Sequence, residues 1–217
     1  MADNLTRRPA FGADPPGATP LTADEVAELI PSDLATRADL DLAELENIVG
    51  ARLHFATREW TSDQLTDTSM VRNIHRRMFN QVWRWAGTWR RRETSIGVAP
   101  EAIAVDLRNS LDDARAWIEW STFPADEIAV RLHHRLVQVH PFPNGNGRHA
   151  RLLADLVVVS LGGPPFAWSG GHLAGAGDTR TDYLVALRRM DKDRDDADAL
   201  VQFARGSGRG TAMPALS

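Results

Sequence analysis

The chain has 217 residues, 43% of them hydrophobic and 25% charged, with a formal net charge of -4. Such a balance belongs to an ordinary globular protein and argues against bulk adhesion to nucleic acid. Cysteine is absent, which excludes disulfides and thiolate metal sites. The opening residues lack the apolar stretch of a secretory signal and no run approaches membrane-spanning length, so the cytoplasm is the expected location.

The first twenty residues carry four of the twelve prolines and few large apolar groups, the pattern of a surface arm. A short helix is expected from Thr22 to near Pro31. Leu42, Leu45, Val49 and Leu53 recur at helical spacing and predict a longer helix over 38–58. Val71, Ile74, Met78 and Val82 repeat the pattern, as do Ile103, Leu107, Leu111, Ala114 and Ile118. Between these two sets, Arg92 to Pro100 alternates Thr94, Ile96 and Val98 around Gly97, the pattern of a short hairpin or flap.

Another helix begins near Pro124, whose missing N–H costs nothing in a first turn, and Asp126 and Glu127 suit the positive end of its dipole. Residues 151–161 are apolar almost all round, as in a helix at the centre of a bundle. Two more helices are expected around 180–190 and 195–205. The resulting organisation is an arm (1–20), N-terminal helices (21–62), a main domain (63–205) and a tail (206–217). The expected class is all-α, a helical bundle with one short β-hairpin flap.

Residues 140–151 read His-Pro-Phe-Pro-Asn-Gly-Asn-Gly-Arg-His-Ala-Arg. Gly145 and Gly147 allow close backbone approach just before a helix whose first amides lack intrahelical partners. Such amides, with the helix dipole, favour a phosphate. Arg148 and Arg151 share a face of that helix and can each fork onto phosphate oxygens. His140 precedes the loop, and its imidazole suits removal of a hydroxyl proton near neutral pH. A plain helix-loop-helix corner explains glycines alone, but not a histidine on one side and two spaced arginines on the other.

These residues closely resemble the signature of the Fic (filamentation-induced-by-cAMP) family, His-x-Phe-x-Asp/Glu-Gly-Asn-Gly-Arg-x-x-Arg, at seven of its eight specified positions. The run from Trp85 to Arg90 is similar to the Trp-Ala-Gly-x-x-Arg that precedes the family's flap, and the likeness extends over roughly 65–205. Within the family, the chain looks most like the bacterial subgroup called mobile mystery protein B. The resemblance implies transfer of AMP from ATP, with Mg²⁺ or Mn²⁺, to a Ser, Thr or Tyr hydroxyl of a target protein. His140 would be the general base, and Gly145, Asn146 and Gly147 the anion hole. Arg148 would hold the inner phosphates and Arg151 the terminal one. Thr94, Ser95, Ile96, Gly97 and Val98 would form the flap that docks the target.

One position departs from the signature. Asn144 stands where an acidic residue normally holds the metal, and a neutral amide is a poorer ligand for a hard cation. That change leaves three alternatives: weaker but adequate metal binding, a different or reversed donor, or nucleotide binding with little turnover. The resemblance also implies a restraining helix, and Glu46-Asn47 fits its end although Leu42 replaces the usual Ser or Thr. Glu46 is therefore either a candidate inhibitory residue over Arg151 or a solvated helix carboxylate. A small antitoxin partner is a further expectation carried by the family.

Three other patterns carry less. Aromatic and basic residues interleave from Trp83 to Arg92, as on single-strand binding surfaces, but core tryptophans with a basic rim explain them better. His133, His134, His140 and His149 lack the carboxylate partners of a zinc hydrolase, and His133 and His134 read better as one partly buried and one surface residue. The aspartates from 191 to 198 lack the glycine and glutamate of a calcium loop.

Overall fold

The computed structural model describes residues 23–168 and 177–206, with the side chains of 23 and 177–179 excepted. The expected arm, and the tail beyond Gly206, lie outside these residues.

Three of the N-terminal helices start where the sequence offers a side-chain cap. Following the short α1 (Ala23–Ala27), α2 (Arg37–Ala56) opens on a capping box: the Asp39 amide donates to the Thr36 hydroxyl, and the Thr36 amide to the Asp39 carboxylate. Thr61 and Gln64 repeat the device at the single turn α3 (Ser62–Leu65), and Asp67 caps α4 (Thr68–Phe79). Each such cap is worth about 1 kcal/mol. One 3-10 turn, Pro100–Ala102, leads into α5 (Ile103–Glu119), and α6 (Ala125–Val139) follows Pro124. The chain then forms α7 (Asn146–Ser160), α8 (Gly177–Lys192) and α9 (Asp198–Arg205).

The helices α6 and α7 form the central pair. α5 and α9 pack on α6, while α2, α3 and α4 pack on α7. Leu132, Leu136, Leu153, Val157 and Val158 are buried between them, so the all-round apolar stretch near 151–161 does sit at the centre. None of the described helices is long and apolar enough to cross a membrane.

Two expectations differ from the fold. α2 forms as expected, but it buries the opposite face, through Leu40, Glu44, Ile48, Ala51 and Phe55. Leu42, Leu45, Val49 and Leu53 remain exposed. A helix with two apolar stripes is legible as a helix, but its spacing does not say which stripe is covered.

Nor does the segment 92–100 pair as a hairpin. Among the described residues there is no strand, only one isolated antiparallel bridge between Leu29 and Trp83. Gly97, at φ +110°, breaks the extended run, and the Thr94 hydroxyl turns back to donate to the Ile96 carbonyl. Arg90 takes the Arg92 and Val98 carbonyls that a second strand would need.

Candidate functional site

The loop between α6 and α7 is built on two left-handed residues. His140 caps α6 at φ 51°, ψ 58°, and its amide donates to the Leu136 carbonyl. Gly145 precedes α7 at φ 76°, and a Cβ there would lie 2.4 Å from the Phe79 ring, so only glycine fits. Between them, the Asn146 side chain accepts from the Phe142 amide at 2.9 Å and donates to the Phe142 carbonyl at 2.8 Å. This pair of hydrogen bonds closes the loop upon itself. Asn146 thus spends its side chain on the loop, and only its main chain is left to face a ligand.

Phe142 is fully buried and stacks on His75, with ring centroids 3.6 Å apart and planes within 9°. The Gly87 amide donates to His75 Nδ1 at 2.9 Å, which fixes the tautomer. Nε2–H then donates to the Asn144 carbonyl at 3.0 Å. One buried imidazole therefore joins the Trp85–Arg90 turn to the glycine loop. Sequence reasoning gave His75 no role; its one signal was its place beside the apolar set Val71, Ile74 and Met78.

The cradle itself lies at the start of α7. The first helical bond in this turn runs from the His149 amide to the Gly145 carbonyl, so the amides of 146 to 148 precede it. A Cβ on Gly147 would come within 3.9 Å of the Tyr183 hydroxyl, so that phenol borders the cradle. The half-buried Arg151 guanidinium lies 5.6 Å from the Tyr183 ring centroid. Its side chain makes no hydrogen bond or ion pair among the described residues. Burial weakens its hold on its proton, Tyr183 opposes that, and Arg148 adds repulsion. It remains a cation at neutral pH.

Arg148 is already engaged. Its Nη1 meets the Glu44 carboxylate at 2.6 Å, and the other Glu44 oxygen accepts from Trp83 Nε1–H at 2.6 Å. Glu44 is buried, on the inner face of α2. Glu46 is exposed on the outer face and borders a shallow pocket with Asn47 and Arg77. The helix carboxylate that reaches the motif is therefore Glu44 rather than Glu46, and it meets Arg148 rather than Arg151. Two residues along α2 turn a side chain by roughly 200°, enough to exchange the faces.

His140 is positioned by Arg90, which is itself buried. The Arg90 Nε–H donates to the His140 carbonyl at 2.6 Å, and its other N–H groups reach the Arg92, Val98 and Val139 carbonyls. A Cβ on Gly97 would lie 2.7 Å from both Arg90 Nη2 and His140 Cβ, so the flap rests against the histidine. Burial lowers the His140 pKa, the Val137 carbonyl partly offsets this, and Arg90 lowers it further. The imidazole is therefore neutral at pH 7, as a base must be.

Asn144 offers little to a metal. Its side-chain oxygen accepts from the Gly145 amide at 2.6 Å. Among the described residues, no three His, Cys, Asp or Glu side chains group together as for a metal ion. His133 and His134, expected as a half-buried and a surface residue, are both buried. They contact the Tyr183 hydroxyl at 2.9 Å and Asp191 at 2.8 Å, respectively.

The buried imidazoles give the protein an acid-labile core. Burial holds His75 well below the usual value of 6.5, His133 at about 3 and His149 at about 4. Their contribution is full above pH 6.5 and is lost as the pH falls towards those folded values. Asp155 runs the other way, raised by burial to about 6, so its contribution holds below 3.8 and is lost as pH rises through 6. Three groups against one make the expected result a lower urea midpoint at pH 5 than at pH 7. Equal midpoints would contradict the neutral assignment.

Free amides at a helix start, two arginines and a neutral histidine around one loop define a class: a helical bundle with a corner suited to an anion. Residues 65–158 match the model of the Fic/DOC family. A protein adenylyltransferase fic-1 from Caenorhabditis briggsae is 32% identical over 160 residues, covering 64% of this chain and 31% of that protein. The chain thus spans about a third of the length of the curated relative. Among solved structures, Fic-1 (residues 134–508) from C. elegans superposes with a TM-score of 0.57 at 26% identity, covering 83% of this chain and 51% of that one. BepC from Bartonella tribocorum, solved with bound AMPPNP, shares the fold at a TM-score of 0.61 and 16% identity, over 79% of this chain and 87% of that one.

Proposed function

We propose that this domain transfers AMP from ATP to a hydroxyl of a protein side chain. The observation that carries the reading is that a neutral His140 closes α6 while the free amides of Asn146 to Arg148, with Arg151 one turn on, open α7 at the other end of the same loop. The relatives named protein adenylyltransferases support the same reaction class.

In this reading, His140 takes the proton of the target hydroxyl while that oxygen attacks the α-phosphorus. The bond from the α-phosphorus to the bridging oxygen breaks, and pyrophosphate leaves with the electron pair. The amides after Gly145 and the Arg148 guanidinium stabilise charge building on the inner phosphates. Arg151 grips the terminal phosphate, and the main chain of 94–98 holds the target by added hydrogen bonds. The resemblance also implied Mg²⁺ or Mn²⁺, but the chain's own donors do not fit a protein-held ion. Asn144 is neutral and occupied, and Glu44 is spent on Arg148. No step here runs through a metal.

The Glu44–Arg148 pair supports a second element, internal restraint. A nucleotide that recruits Arg148 must first break a 2.6 Å ion pair whose carboxylate is buried. Glu44→Gln keeps an acceptor for Trp83 and frees the Arg148 charge. We expect it to tighten ATP binding by on the order of tenfold in calorimetry. It should also cost about 1–3 kcal/mol of stability. Unchanged affinity in a folded variant would remove the restraint.

The transfer reading is tested by intact mass after incubation with ATP, and separately with UTP, GTP and CDP-choline, with Mg²⁺ or Mn²⁺. Added mass of one AMP on the chain or on an offered protein supports it. Nucleotide binding without any adduct would instead make the domain a binding module, the consequence of Asn144.

A further inference from the structure

We infer that the surface leading from α4 to the flap docks an acidic segment of a protein target, which rests on and narrows the transferase reading. Residues 68–92 hold seven arginines and no Asp or Glu. The other 192 residues hold 18 Lys and Arg against 29 Asp and Glu, so positive charge is concentrated in one stretch of an acidic chain.

The fold brings that stretch to the surface beside the site. Only Arg90 of the seven is buried; Arg72, Arg76, Arg77, Arg84, Arg91 and Arg92 are exposed. Arg77 belongs to the α2 side, where its carbonyl accepts from Asn47. The other five form a belt. Arg72 and Arg76 are one turn apart on α4, and a Cβ on Gly87 would lie 2.8 Å from Arg76 Cβ, so the Trp85–Trp89 turn lies against that face. Arg72 Nε–H donates to the Gly87 carbonyl, and its guanidinium lies over Trp89. From Trp89 the chain runs through Arg91 and Arg92 into the flap, whose Gly97 touches His140. The belt therefore ends at the proposed reaction centre.

The chain itself shows what this surface accepts. Residues 24–30 are acidic and lie along its far edge. The Ile30 amide donates to the Val82 carbonyl, the Arg84 amide donates to the Glu28 carbonyl, and Asp24 pairs with Arg92 at 3.1 Å. An acidic segment, here one helical turn and the residues after it, held by main-chain bonds and an ion pair, is what a target would replace or extend towards the flap. Among the described residues, Arg72, Arg76, Arg84 and Arg91 have no carboxylate partner. Arginine forks suit carboxylates, and a set of like charges favours encounter with an opposite one.

The test uses the full chain without nucleotide, so its outcome is separate from that of the transfer reading. Fluorescein-labelled 12-residue peptides with one central tyrosine, flanked by glutamates, glutamines or lysines, are titrated by anisotropy at 50 and 300 mM salt. A single-stranded and a duplex oligonucleotide are titrated alongside. The glutamate peptide should bind about fivefold or more tighter than the glutamine peptide at 50 mM. That margin should shrink at 300 mM, where screening is stronger. Arg76→Glu with Arg91→Glu, neither of which contacts the cradle, should erase it. Equal binding of all three peptides, tighter binding of either oligonucleotide, or a margin indifferent to the double variant would overturn the inference. Acid preference without any nucleotide transfer would leave the docking surface standing and sink the transferase.

Discussion

Replacing His140 with alanine should lower the transfer rate by about 10²- to 10⁴-fold, the range supplied by a positioned proton acceptor. The loss should fall on kcat, because the imidazole serves the attacking hydroxyl and the donor is held by groups from 145 onward. ATP affinity in calorimetry should stay within about twofold of wild type, since only interactions specific to the transition state are removed. The pH profile gives an independent check. Burial and Arg90 both disfavour the imidazolium, so kcat/KM for the wild type should hold level below pH 7 and break beneath the ordinary value of 6.5. A profile breaking above 7, or a variant as fast as wild type, would assign proton removal elsewhere.

The second large effect is expected at Arg90, which contacts no nucleotide in the proposed scheme. Its guanidinium joins four main-chain carbonyls, at Arg92, Val98, Val139 and His140, across the flap and the end of α6. Arg90→Ala leaves them without that donor and frees the flap. It should cost about 2–4 kcal/mol of stability. Misplacing His140 by an ångström should reduce kcat by about 10²-fold. Arg90→Lys preserves the charge but lacks the planar fork, so it should fold better than alanine yet recover little rate. Nucleotide affinity unchanged in both variants would mark positioning, whereas a parallel fall in affinity and rate would point to general loss of structure.

These two residues mark where sequence reading succeeds and where it stops. His140, Gly145, Arg148 and Arg151 can be singled out in the sequence because they lie within one contiguous run, and the roles proposed for them follow from what each residue type can do. Helix positions were legible for a similar reason, since caps such as Thr36 and the 3.6-residue spacing are local. Partners chosen across the fold were not. Glu44 lies 104 residues from Arg148, and the face it shares with Leu40 and Ile48 competes with a second apolar stripe at Leu42, Leu45, Val49 and Leu53. His75 reaches the Asn144 carbonyl across 69 residues, and nothing in its neighbourhood signals that it supports a loop. The flap was misread as a hairpin because alternation cannot report that a buried arginine consumes its carbonyls.

The closed loop at Phe142 bears on the proposed transfer cycle. With Asn146 latched to Phe142 by both amide atoms and the ring clamped against His75, the cradle is a rigid mould before any donor arrives. Little entropy is spent in shaping it, so the yielding part must be the exposed run around Ile96. In the proposed transfer, pyrophosphate departure and target exchange would fall to that outer strip, and its opening would set the cycle time.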